Sequence, residues 1–261
     1  MIRDVLKTIP GVGPFVRSAR RVYREHSGAP DFRKILAETW LAGDGIEIGA
    51  LHFPLWVPQS ARVRYVDRMP VADLRRHYPE LAKENLVAVD IIDDGEKLAT
   101  FKDGSQDFII ANHFLEHTQN PIGTIGRLLQ VLRDQGILYM AVPDKRSTFD
   151  VERPLTTLEH LIRDYTEGPE WSRESHFREW VEIVNKTPAE ARTAAMQQLM
   201  EMDYSIHFHV WTSATLLEFL VALPKQFGFP FAIEAAVRNG SETICVLRRE
   251  AAISATRVGK R

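Results

Sequence analysis

Five short, largely apolar runs, separated by helical or turn sequence, constrain this 261-residue chain more than any other feature. They cover residues 46–49, 63–67, 86–90, 107–112 and 137–142, and their lengths suit strands rather than helices. They alternate little between polar and apolar residues, which is the pattern of a mostly parallel sheet covered on both faces. Between them, Phe32, Ile35, Leu36 and Trp40 repeat at helical spacing until Gly43-Asp44-Gly45 ends the run. A helix over residues 71–77 links the second and third strands. Ile122, Ile125, Leu128, Leu129 and Leu132 form another helical series, which Asn120 can cap, Pro121 can open and Gly136 can close. Leu216, Leu217, Phe219, Leu220 and Leu223 give a later helix, and two further strands flank Asn239-Gly240, a strong hairpin signal. The expected fold is α/β: a doubly wound, mostly parallel seven-stranded sheet with an antiparallel C-terminal hairpin.

The sheet pattern breaks after Pro143. A helical, His- and Trp-rich insertion follows, set at residues 151–206, with helices around 158–165 and 177–184 and a third opened by the capping box Thr187-Pro188-Ala189-Glu190. The main domain is expected over 31–249 and a flexible tail over 250–261. Residues 1–30 form a basic arm carrying Arg3, Lys7, Arg17, Arg20, Arg21 and Arg24, read either as a helical arm packed on the domain or as a peripheral membrane contact. No apolar stretch is long enough to span a bilayer and no secretory signal is visible, so the expected location is cytoplasmic. A net charge of -2 argues against nucleic acid and for a small-molecule partner. The lone Cys245, within an apolar strand-like run, reads as core.

Four segments end at the carboxyl edge of the expected strands, where doubly wound sheets bind ligands. They are Glu47-Ile48-Gly49-Ala50, Asp67, Asp90-Ile91 and Asn112-His113-Phe114-Leu115-Glu116-His117. With the terminal hairpin they make the chain resemble the class I S-adenosylmethionine-dependent methyltransferases over roughly residues 31–249, most closely small bacterial members of that family. The resemblance implies a Rossmann-like methyltransferase fold with S-adenosylmethionine as cofactor. Asp67 lies 18 residues after Gly49, the spacing at which an acid accepts ribose hydroxyls. Gly49 permits close backbone approach. Asp90 and Ile91 are implied to meet the adenine, with Asp93 and Asp94 as nearby substitutes, and Glu47 to engage the methionine ammonium. Ala50 and Asn112 complete the cofactor set. The chain departs from the family in having few glycines after the first strand and only 13 residues, including Pro54 and Pro58, before Val63, so that crossover can hold a turn of helix at most.

Methyl transfer to a hydroxyl requires alignment, exclusion of water and a base. His113 and His117 are four residues apart, and histidine as a residue type suits that task near neutral pH, which makes them the candidate bases. Lys145 and Arg146, directly after the fifth strand, suit an acceptor phosphate, and His207 and His209 suit acceptor hydroxyls. Metal-capable sets occur at His113, Glu116 and His117 and at Asp203, His207 and His209, but the sequence is read without a metal. The expected activity is methyl transfer to a small polar acceptor, a sugar hydroxyl first among them. The rival readings are a methyltransferase-fold binding protein without catalysis and a nicotinamide-dependent oxidoreductase. The second lacks a G-x-G-x-x-G turn.

Overall fold

The computed structural model describes residues 30–251. The basic arm up to residue 29 and the tail from 252 lie outside that range. Seven strands form one sheet: β1 (Gly43–Ile48), β2 (Ala61–Asp67), β3 (Ile91–Ile92), β4 (Gln106–Asn112), β5 (Leu132–Pro143), β6 (Phe231–Asn239) and β7 (Glu242–Arg249). Their order is β3-β2-β1-β4-β5-β7-β6, with β7 antiparallel to both β5 and β6 and the other pairings parallel. The expected doubly wound sheet with its terminal hairpin is therefore present. Asn239 pairs with Glu242, so the two-residue loop is Gly240-Ser241, one position later than the dipeptide alone suggests.

Side chains of successive strand residues divide between two cores. On one face Ile46, Ile48, Ile109, Leu138, Met140, Cys245 and Leu247 meet α3 (Pro121–Val131) and α7 (Ser213–Phe227). On the other, Phe108, Ile110, Tyr139, Ile244 and Val246 meet α1 (Phe32–Trp40) through Leu36 and Ala37, while α2 (Val71–His77) follows β2. Burial of Cys245 at the centre of the first core pushes its thiol up to about 12. Asn120 caps α3 by accepting from the Gly123 N–H, and Pro121 opens the helix as expected. The helix ends at Val131, however, and Leu132 already pairs with Gln106 in the sheet.

Two other local readings change. Gly43 and Gly45 belong to β1 rather than to a helix terminus, and a Cβ on Gly45 would stand 2.4 Å from the ring of Phe108. The third strand, expected over 86–90, forms only over Ile91–Ile92; just before it the Asp90 carboxylate, not a ladder carbonyl, accepts from the Tyr65 N–H at 2.8 Å.

Between β5 and α7 lie α4 (Leu158–Glu167), α5 (Glu170–Glu179) with a π-helical turn over Trp180–Val184, and α6 (Arg192–Glu201). Phe177, Trp180, Val181, Met196, Leu199, Ile206 and Phe208 give this segment its own apolar core, while Leu161 of α4 joins the sheet's first core. Thr187 forms no capping box. Pro188 precedes a 3-10 turn without a side-chain cap, and the capping box is instead made by Thr212 and Thr215 at the start of α7. None of the described helices is long and apolar enough to cross a membrane.

Candidate active site

The order of strands reverses between β1 and β4, and a cleft of about 830 Å³ opens there at the carboxyl ends of the strands. Gly49, Asp67, His113 and His117 line it, so the structure brings these four expected residues together. Gly49 follows β1 with φ +63°, a backbone that penalises a side chain, and a Cβ built there meets nothing within 4 Å. Asp67 closes β2 and accepts from the Arg68 N–H at 2.7 Å. Burial pushes its carboxyl up to about 6, against the opposing pull of that backbone donor and of the Arg68 charge.

His113 and His117 follow β4. His113 takes a left-handed backbone (φ +51°), donates its N–H to Ala141 and places Nε2 2.8 Å from Glu242 Oε2 and Nδ1 3.4 Å from Glu116 Oε1. Glu242 is itself held by Arg33 in a two-pronged pair (2.8 and 2.6 Å), so it fixes the His113 ring, with Glu116 close by. His117 is different. Its Nδ1 lies 2.9 Å from the Ile206 carbonyl, which can only accept, so Nδ1 carries the proton and Nε2 keeps the basic lone pair. Burial and the neighbouring His207 lower it to about 4, so His117 is neutral at physiological pH.

The remaining expected cofactor residues lie off the cleft wall. Glu47 is 1% exposed, and its two oxygens accept from the Leu55 N–H at 3.0 and 3.1 Å. It pins the loop that replaces the usual helix after β1, and burial raises its carboxyl to about 7. Ala50 faces a small recess beside the cleft, and Ile91 packs on the sheet's first core. Asp90 is committed to Tyr65, as above, and Asp93 and Asp94 line the cleft in its place. Asp93 orders its loop by accepting from Asp94, Ala99 and Thr100. The Asn112 amide is buried without a hydrogen-bond partner among the described residues and does not reach the cleft wall.

None of the expected acceptor residues lines the cleft either. Lys145 donates to the Arg153 carbonyl, and Arg146 pairs with Asp144 at 2.9 and 2.6 Å. His207 Nδ1 lies 2.8 Å from Asp150 Oδ2 at the base of the 151–206 segment, where Arg153 also holds Asp150. His209 is buried against His160 and His176. Asp203 is no partner of these histidines. It is clasped by Arg68 Nη1 (3.0 Å) and Arg173 Nη2 (2.7 Å).

Sequence reasoning missed Arg68, Tyr78, Phe114, Tyr204, Ser205 and Phe208, all on the cleft wall. Arg68 beside the expected Asp67 carried the clearest signal, since it neighbours a strand-end acid. The wall as a whole is acidic: Asp67, Glu80, Asp93, Asp94, Glu96, Glu170 and Asp203 stand against Arg68 and Lys97. Such a lining attracts a cationic ligand and disfavours a pyrophosphate.

Comparison with known proteins agrees with the fold. A model of the methyltransferase domain family matches residues 3–222. No curated protein sequence matches the chain. Among solved structures, a candidate zinc-dependent alcohol dehydrogenase from Rhodobacter sphaeroides is similar at TM-score 0.50 and 15% identity, over 86% of this chain and 92% of that one. At 15% identity this likeness concerns the fold alone. An S-adenosylmethionine-dependent methyltransferase from Methanosarcina mazei aligns at TM-score 0.43 and 14% identity, over 81% and 95% of the two chains. A carbon methyltransferase aligns at TM-score 0.43 and 13% identity over 81% of this chain, which spans 50% of that protein. With the family model covering most of its length and its strand order and terminal hairpin in place, the chain belongs to the methyltransferase domain family, as a class I S-adenosylmethionine-dependent member.

Proposed function

We propose that the protein transfers a methyl group from S-adenosylmethionine to a hydroxyl of a small polar acceptor, a sugar or related metabolite. The observation that carries this reading is the acid-lined cleft at the carboxyl ends of β1, β2 and β4, with Asp67 at its wall. S-adenosylmethionine carries a sulfonium and an ammonium, and both suit that lining. Gly49 fits the same ligand, because a side chain there would occupy open cleft space. In this reading Asp67 accepts ribose hydroxyls, a contact that offsets the burial of its charge. Leu74, Leu81 and Phe114 add apolar wall for a base.

When bound, the cofactor supplies an electrophilic methyl carbon. The chain's own residues must then align the acceptor, exclude water and take a proton. His117 is the proposed base, since it lines the cleft and its neutral ring keeps Nε2 unprotonated. His113, held by Glu242, orders the loop that carries His117. Pro169, Glu170, Tyr204, Ser205 and Phe208 bring the 151–206 segment and its exit to the same cleft, and we assign that segment the role of covering the acceptor.

The rival nicotinamide reading needs a helix N-terminus to receive a pyrophosphate, and no helix is formed over 49–60 after β1. Calorimetry with S-adenosylhomocysteine and with NADH, followed by methyl transfer to a panel of sugar and aromatic hydroxyls, tests the proposal. Binding of the first ligand alone, with a methylated hydroxyl product, is expected. Binding of NADH, or of neither ligand, overturns it.

A further inference from the structure

We propose that His160, Asp164, His176 and His209 form a closed four-ligand site for a divalent transition cation, with zinc as the expected ion, outside the cofactor cleft. The sequence alone gave no reason to assemble this set, because its members come from three separate segments. His160 and Asp164, four residues apart, share one face of α4. His176 comes from α5, and His209 from the extended stretch that follows α6.

Their ligand atoms all lie within 4.8 Å of one another. His160 Nε2 is 3.1 Å from His176 Nε2 and 3.3 Å from Asp164 Oδ2, which is 3.7 Å from His209 Nε2. Zinc bonds of about 2.0–2.1 Å in a tetrahedron separate neighbouring ligands by about 3.3–3.4 Å, close to these spacings. Three imidazoles and one carboxylate are a donor set suited to zinc rather than to calcium or magnesium, which take oxygen ligands.

A network of hydrogen bonds alone accounts for the cluster less well. His160 and His176 can share one N–H and His209 Nε2 lies 3.4 Å from the Gln119 carbonyl, but Asp164 is 0% exposed and its Oδ2 has no hydrogen-bond partner among the described residues. An unpaired buried carboxylate oxygen is costly, and a cation removes that cost. The other oxygen, Oδ1, is held by Ser172 Oγ at 2.9 Å, an outer contact that turns Oδ2 toward the three rings. Trp171 and Trp211 pack on His160 and His209, at 4.7 and 5.8 Å between ring centroids, and form the apolar shell.

With all four positions supplied by protein, such an ion is structural and not catalytic. It would tie α4 and α5 to the stretch that carries Phe208, a residue of the cleft wall, and whose Phe208 and His209 N–H groups donate to the Glu116 carbonyl at 2.7 and 3.3 Å. The ion would thus fasten the covering segment to the cleft.

The test uses the purified full chain. Elemental analysis should find about one equivalent of zinc. After chelator treatment, cobalt should restore one equivalent with the intense visible bands of a tetrahedral site, and zinc should raise the Tm. Asp164→Asn and His160→Gln should each weaken zinc at least tenfold in competition with a chromophoric chelator. Glu116→Gln reports on the other metal-capable group, Glu116, His117 and His207, and should leave stoichiometry and cobalt spectrum unchanged. If the first two variants fail to fold, the wild-type stoichiometry and spectrum together with Glu116→Gln decide the matter. Failure of the folded wild type to take up zinc or cobalt overturns the proposal. So does wild-type metal binding by Asp164→Asn and His160→Gln, or loss of the metal in Glu116→Gln.

Discussion

Asp67 is pushed up to about 6 because burial disfavours its charge, and that places folding and binding in conflict at one carboxyl. A carboxyl whose folded pKa exceeds its unfolded value stabilises the fold at low pH and loses that contribution as pH rises through the folded value. Near neutrality the ionised Asp67 therefore opposes folding until ligand hydroxyls meet it. Asp67→Asn should raise the Tm of the cofactor-free protein at pH 8, with the gain vanishing toward pH 4. The same change should weaken S-adenosylhomocysteine by roughly 10- to 100-fold, the value of lost charge-assisted hydrogen bonds. Unchanged calorimetric affinity would place the ribose elsewhere. His117 supplies a second titration. An ordinary histidine base would lose activity below about 6.5, but burial lowers this one to about 4. At saturating cofactor, kcat should hold through pH 6 and fall only toward 4, whereas kcat/KM for the cofactor should already fall near 6, where Asp67 protonates. His117→Gln should lower kcat by about 100-fold with little change in cofactor affinity. A kcat limb at 6.5 would assign the proton to another group.

The crossover from β1 to β2 shows how one side chain replaces an element. It contains no helix, and Glu47, buried beneath it, holds the Leu55 N–H instead. Burial raises Glu47 to about 7, so the cost of its charge grows as pH rises from the ordinary carboxyl value through about 7 and is at its full value above that. Glu47→Gln keeps an acceptor for Leu55 and removes the charge. It should raise the Tm at pH 8 and leave it nearly unchanged at pH 5, while Glu47→Ala, which frees the loop, should lower the Tm at both. A drop in cofactor affinity for Glu47→Gln without a Tm change would return Glu47 to the cleft. At this scale the legible parts were those set by local periodicity: β1, β2, β4, β5, the helix cap at Asn120 and the terminal hairpin. Strand β3 was not: just before it, Asp90 spends its carboxylate on the Tyr65 N–H across the sheet edge. Lys145 and Arg146 misled for a similar reason, since their partners, the Arg153 carbonyl and Asp144, draw them away from the ligand edge. Of the cleft, the strand-end residues Gly49 and Asp67 and the histidines after β4 could be read from spacing alone. Tyr78, Tyr204 and Phe208 could not, because only the tertiary fold brings their segments to the cleft.

Across the molecule, the cleft is bounded by the sheet and by the segment after β5, which has an apolar core of its own but joins the sheet's first core through Leu161, and charged contacts bridge the two at the cleft's mouth. Arg68 leaves the end of β2 and Arg173 leaves α5, and both reach Asp203, whose side chain is 65% exposed. Arg68 also donates to the Asp203 carbonyl and to Tyr78. Exposed ion pairs contribute only about 0.2–1 kcal/mol each, too little to lock the segment to the sheet and enough to bias its closure. Asp203→Ala should accordingly lower the Tm by less than roughly 4 °C for a domain of this size. Its effect should appear in kinetics, as S-adenosylhomocysteine release faster by up to about 5-fold in stopped-flow measurements. In the wild type, cofactor product together with an acceptor should raise amide protection over residues 158–179 and 200–206 above that given by the cofactor product alone. Release unaltered in Asp203→Ala and protection unaltered by the acceptor would together mean that the segment is a fixed wall, and acceptor selection would then lie in the shape of the cleft alone.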